Sequence, residues 1–113
     1  MTASDSQSGR NAQDTPEPVF NEIIHAPVRL RICGLLDTYG TMRFDVLRDT
    51  IGISDSTCSK HLKTLADHGY VALDKRSGEG GKAYKVTWVK LTDEGAAAFQ
   101  SHVAALRAIV AGQ

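Results

Sequence analysis

The sequence predicts a mainly α-helical domain with one small β-hairpin, an α+β class chain. Three observations point there. Apolar residues recur at helical spacing in four separate stretches between His25 and Ala111. One stretch, Ala83 to Leu91, alternates instead with a period of two. The glycine-rich segment Ser77-Gly-Glu-Gly-Gly-Lys82 separates it from a second strand-like run.

The chain has 113 residues, room for one domain and no second core. Hydrophobic residues make up 42% and charged residues 23%, an ordinary globular balance. No apolar run approaches the ~18 residues of a membrane span. The opening Met-Thr-Ala-Ser-Asp-Ser-Gln has neither the basic nor the apolar part of a signal peptide. Cytoplasmic residence with reduced thiols is therefore expected for Cys33 and Cys58.

Residues 1–18 are Ser, Asp, Gln, Gly, Asn and Pro with almost no large apolar side chain, so a disordered tail is expected, with a single domain over 19–113. The first strong helix begins near His25-Ala26. Pro27 suits its first turn, and Val28, Leu30, Ile32, Leu35 and Leu36 follow until Gly40 stops it. Thr41-Met42-Arg43 reads as a small strand or a turn. A second helix spans about Phe44 to Thr50 and breaks at Gly52.

Ser54 is an N-cap, Asp55 suits the positive end of the helix dipole, and the third helix runs from there to His68. Cys58, Leu62 and Leu65 form its inward stripe, which leaves Ser56, Thr57, Ser59, Lys60 and Lys63 outside. Strands are expected over Val71–Arg76 and Ala83–Leu91. In the second, Tyr84, Val86 and Trp88 share one face, and Thr87, Val89 and Leu91 the other. A last helix starts at a Thr92 cap and continues to about Ala111.

Two short helices joined by a tight glycine-containing turn are a helix-turn-helix signature, and a hairpin directly after them is its winged form. The architecture expected is thus a three-helix core, a wing and a C-terminal helix. Small hydroxyls at the start of the third helix permit close approach to a DNA groove, and Lys60 and Lys63 have the reach for phosphates. The formal net charge is zero, but it is unevenly distributed. Residues 1–19 hold three acids against one arginine, whereas Ser54 to Lys90 holds seven Lys/Arg against four acids, a local +3.

These segments resemble the winged-helix transcriptional regulators of the MarR and ArsR type. The matching pieces are His25-Ala-Pro-Val-Arg-Leu-Arg-Ile32, Ser54 to Val71, and Lys82 to Gly95 with its Thr87-Trp-Val-Lys-Leu-Thr-Asp-Glu-Gly95 run. Together they span most of residues 22–110. The resemblance implies a DNA-contacting face of Ser54, Ser56, Thr57, Ser59, Lys60 and Lys63, and a wing carrying Arg76, Lys82 and Lys85, flanked also by Lys75. Glu79 departs from a phosphate-seeking tip, so the flanking cations rather than the tip are expected to touch DNA. The implied function is a sequence-specific regulator, a repressor on a palindromic operator. The alternative is a winged helix used only for protein contacts.

Phe99, Val103, Leu106 and Val110 recur at spacings of 4, 3 and 4. This seam either packs on the domain's own first helix or forms a homodimer interface, which the resemblance favours; Glu22, Ile23 and Ile24 could add to it. A small-molecule effector is compatible with such a dimer.

Enzyme chemistry is not expected. No phosphate-binding loop is present, because Arg76 stands where its first glycine belongs and Ala83 follows Lys82. Neither H-E-x-x-H, C-x-x-C nor G-x-S-x-G occurs. Cys33 and Cys58 are read as core residues, and His25, His61, His68 and His102 show no ligand spacing, so no metal or cofactor is expected. His61 is read as structural and Trp88 as a packing residue. Asp45 and Asp49 are read as a solvated face.

Overall fold

The computed structural model describes residues 16–77 and 85–112. The expectations for the tail over residues 1–15, and for the loop tip with Glu79 and Lys82, lie outside the described residues.

The elements follow one another as α1 (Glu22–His25), α2 (Pro27–Tyr39), β1 (Met42–Arg43), α3 (Phe44–Ile51), α4 (Asp55–Asp67), β2 (Val71–Ser77), β3 (Lys85–Leu91) and α5 (Asp93–Val110). The local chemistry behind each boundary is visible in the chain. Pro27 opens α2, where its missing N–H costs no helical bond. Gly40 at φ +80° closes it, with its N–H donating to the Leu36 carbonyl. Gly52 ends α3 in the left-handed conformation (φ +82°, ψ 40°) that a side chain would disfavour. Ser54 and Thr92 cap α4 and α5 through their hydroxyls, which accept the N–H groups of Thr57 and Gly95.

The element missed in the sequence is α1. Asn21 caps it by accepting the Ile24 N–H at 2.9 Å, and Glu22 occupies its first turn. Four residues show no periodicity, and so short a helix is stable only through tertiary packing. Ile24 supplies that packing. It is fully buried in the domain's own core, which removes it from any subunit interface.

β1, β3 and β2 form an antiparallel sheet in that order. Met42 and Leu73 both stand opposite Val89, and Arg43 and Asp74 opposite Trp88. Of Thr41-Met42-Arg43, the last two residues therefore form a strand. The core joins Ile24, Ile32, Cys33, Leu36, Leu47, Ile51, Cys58, Leu62, Leu65, Val71 and Val89 across α1 to α4 and the sheet. Both cysteines are free and buried within it. Among the described residues no helix is long and apolar enough to cross a membrane, and no three His, Cys, Asp or Glu side chains gather as a metal site would require.

α5 turns a different stripe inward from the one its large apolar residues suggest. Gly95, His102 and Ala105 are its buried positions. Phe99 packs against the domain's own core, beside Gly34 of α2. Val103 and Leu106 are half-buried, while Ile109 and Val110 are 58% and 88% exposed.

Candidate nucleic-acid interface

The helix α4 sits on the core through Cys58, Leu62 and Leu65, each at most 2% exposed. A helical period that buries these three turns Ser56, Ser59, Lys60 and Lys63 to solvent, and all four are exposed. Thr57 is half-buried.

Three hydroxyls cluster at the start of α4. Ser54 Oγ accepts the Thr57 N–H at 3.1 Å and donates to Thr57 Oγ1 at 3.0 Å, with Ser56 Oγ at 3.3 Å. Ser54 is thus committed first to capping, while the Ser56 and Ser59 side chains remain at the surface. The helix dipole adds a positive end here. Asp55 opposes it, but Arg48 of α3 reaches across the turn and donates to both Asp49 and Asp55, at 2.8 and 2.5 Å. These carboxylates, Asp49 before Asp55, hold the Arg48 proton more firmly than usual, and Arg48 in turn lowers Asp49.

Of the two lysines, Lys63 bonds Asp67 at 3.0 Å one turn along, an exposed pair of little energetic weight. Lys60 enters no ion pair among the described residues. His61, the residue between Lys60 and Leu62, lies with Nδ1 3.0 Å from Nη1 of Arg29. The arginine can only donate, so Nδ1 accepts and the ring is held neutral. Burial, then the charges of Arg29 and Lys60, push its pKa down. Arg29 is thus the structural partner of His61, and at a separation of 32 residues no local pattern in the sequence reveals it.

The wing splits its cations between two faces. Lys75 and Lys85 alternate onto the side of the sheet that carries Val71 and Val89. Lys75 lines a groove of about 370 Å³ together with Ser59 and Lys63 of α4, floored by Phe44, Leu62 and Leu73. The hydroxyl-and-lysine face and the wing base therefore converge. Arg76 points to the opposite face, where its guanidinium stacks over Trp88 at 5.3 Å and its Nε donates to Asp74 at 2.8 Å. Strand alternation separates it from Lys75 and Lys85, and Trp88 acts as its platform. Asp45, meanwhile, pairs with Arg43 through both carboxylate oxygens, at 3.1 and 3.0 Å.

Comparison with known proteins places this geometry. The family described as "Winged helix DNA-binding domain" matches residues 28–110. An uncharacterized protein of Methanocaldococcus jannaschii is 28% identical over 82 residues, covering 73% of this chain and 86% of its own. The fold is shared with a transcriptional regulator homologue of Pyrococcus horikoshii (TM-score 0.74, 23% identity, 81% of this chain and 88% of that one). It is shared also with YusO of Bacillus subtilis (TM-score 0.66, 20% identity, 96% and 77%). With α3, the Gly52 turn, α4 and the β2–β3 hairpin all inside the matched span, the chain belongs to the winged helix DNA-binding domain family.

Proposed function

We propose that this protein is a sequence-specific transcriptional regulator, a homodimeric repressor that occupies a palindromic operator with α4 in the major groove and the wing base beside it. One observation carries the reading: Ser56, Ser59, Lys60 and Lys63 stand together on the solvent side of a helix whose opposite side is locked into the core. Phosphates are met by Lys60, Lys63, Lys75 and Lys85, and base edges by Ser56, Thr57 and Ser59. Such a role belongs in the cytoplasm, with the genome.

The dimer reading rests on the strip Val103, Leu106, Ile109 and Val110, which a single chain leaves partly or largely uncovered. Pairing through it sets two copies of α4 about one DNA turn, ~34 Å, apart. An open cleft of about 790 Å³, bordered by Pro16, Pro18, Asp37, Phe99 and Arg107, runs along the same helix and offers room for an effector.

Selection of bound duplexes from a random DNA pool with the purified chain tests this. A two-fold symmetric consensus is expected. Absence of enrichment contradicts DNA reading and supports a protein-contact role, and a consensus without symmetry contradicts the dimer.

A further inference from the structure

His102 of α5 is, among the described residues, the buried polar side chain, with no exposed surface. Its Nδ1 accepts the backbone N–H of Asn21 at 3.0 Å. An accepting Nδ1 in a neutral ring leaves the proton on Nε2. Nε2 lies 3.1 Å from Nδ1 of His25, so His102 donates and His25 accepts. Phe20 packs on both rings, with centroids 4.8 Å from His25 and 4.7 Å from His102. Asn21 is pinned on its other side, its Nδ2 donating to the Tyr70 hydroxyl at 3.0 Å. The Val19 N–H donates to the Ser101 carbonyl at 3.1 Å. The segment from Val19 to His25 is thereby fastened to α5 through His102 and its neighbours.

This arrangement has no place for an added proton. On Nδ1 of His102 it would confront the Asn21 N–H; on Nδ1 of His25 it would confront the His102 Nε2–H. If both rings were charged, two cations would face each other with centroids 5.1 Å apart. The groups that face the pair from the N-terminal segment and from the loop before β2 are Phe20, Asn21 and Tyr70, none of them a carboxylate. Among the described residues, no carboxylate hydrogen-bonds to either ring. The His25 side is exposed, which opens the pair to protons from solvent.

We infer that the His25–His102 pair is a proton-operated latch, which holds the segment 19–25 on α5 while both rings are neutral and releases it when they protonate in mildly acidic solution. Burial, and then the proximity of His25, keep the His102 pKa below its ordinary value, in keeping with a closed state that excludes the proton. A depressed histidine contributes stability that is complete above its unfolded pKa and lost as pH falls below it. The latch also reaches the interface helix. Arg29 Nε donates to the Ile23 carbonyl at 2.6 Å, and its Nη1 contacts His61 of α4. The inference stands independently of DNA binding, because it concerns the protein alone.

Native-state amide exchange of residues 20–25 in the full chain, corrected for intrinsic rates, tests it at about pH 7.5 and about pH 5.5. The opening constant is expected to rise about tenfold if one ring takes up the proton and about a hundredfold if both do. The double variant His25→Asn, His102→Gln keeps an acceptor and a donor that cannot titrate, and its opening is expected to be independent of pH. Equal wild-type protection at both pH values, or an undiminished acid response in the double variant, overturns the latch. Should that variant fail to fold, ring nitrogen shifts of the wild type decide. His102 is expected to leave the Nε2–H tautomer in step with amide opening; a charged His102 with its amides still protected overturns the latch.

Discussion

Nη1 of Arg48, near the end of α3, donates to Oδ1 of Asp55 in the first turn of α4 at 2.5 Å. The contact joins the two helices of the helix-turn-helix and neutralises Asp55 at the end of α4 that the proposed function sets against DNA. Arg48→Ala is expected to weaken DNA binding several-fold with little change in thermal stability, because both of its carboxylate partners, Asp49 and Asp55, are exposed. Adding Asp55→Asn to that background is expected to restore most of the affinity. Fluorescence anisotropy with a selected duplex measures both, and an unchanged affinity in Arg48→Ala refutes the role.

Ser54 serves the helix before it serves any ligand, since its Oγ caps the Thr57 N–H at 3.1 Å. Ser54→Ala is expected to cost about 1 kcal/mol in chemical denaturation. Ser54→Asp is expected to keep the cap and the stability, yet to bind DNA more weakly through the added negative charge. Equal DNA binding by the aspartate variant argues against phosphate near this end.

Gly95 lies in the first turn of α5, where a Cβ would overlap the carbonyl of Tyr70. The fit is tight because the Thr92 N–H donates to that same carbonyl at 3.0 Å and the Thr92 hydroxyl donates to the Gly69 carbonyl at 2.6 Å. Gly95→Ala is expected to destabilise the fold by about 3 kcal/mol or more. A loss below ~1 kcal/mol in urea unfolding would show that α5 can shift freely there.

Burial pushes the Cys33 thiol up to about 12 and raises Cys58 as well. Thiolate, the reactive form, is therefore scarce at ordinary pH. An aromatic disulfide reagent near pH 8 is expected to label neither cysteine in the native protein and both in denaturant. Rapid native labelling would point to a redox-responsive thiol.

The caps at Ser54 and Thr92, the stops at Gly40 and Gly52 and the alternation through β3 are local, and each was legible in the sequence. The outward face of α4 was legible for the same reason, since Cys58, Leu62 and Leu65 define its inner side; Thr57 is the exception, half-buried and bonded to Ser54 Oγ. What escaped depends on contacts distant in sequence. In α5 the large residues Phe99, Val103, Leu106 and Val110 draw attention to one stripe, but only Phe99 of these packs against the core, and the buried positions are Gly95, His102 and Ala105. Small residues permit close approach and weigh little in any hydrophobic pattern. A histidine looks like a surface residue until its partners, here Asn21 and His25, are in place. The opposite facing of Arg76 and Lys75 follows from strand alternation, whereas the charge of the cations flanking the loop carries no information about face.

The salt dependence of DNA binding by Lys60→Ala and Lys63→Ala, measured against the unaltered chain, tests the central claim most directly. Each lost phosphate contact is expected to weaken binding and to lower the slope of log affinity against log salt concentration by about one. Unchanged affinity and unchanged slope in both variants would contradict the placement of α4 on DNA.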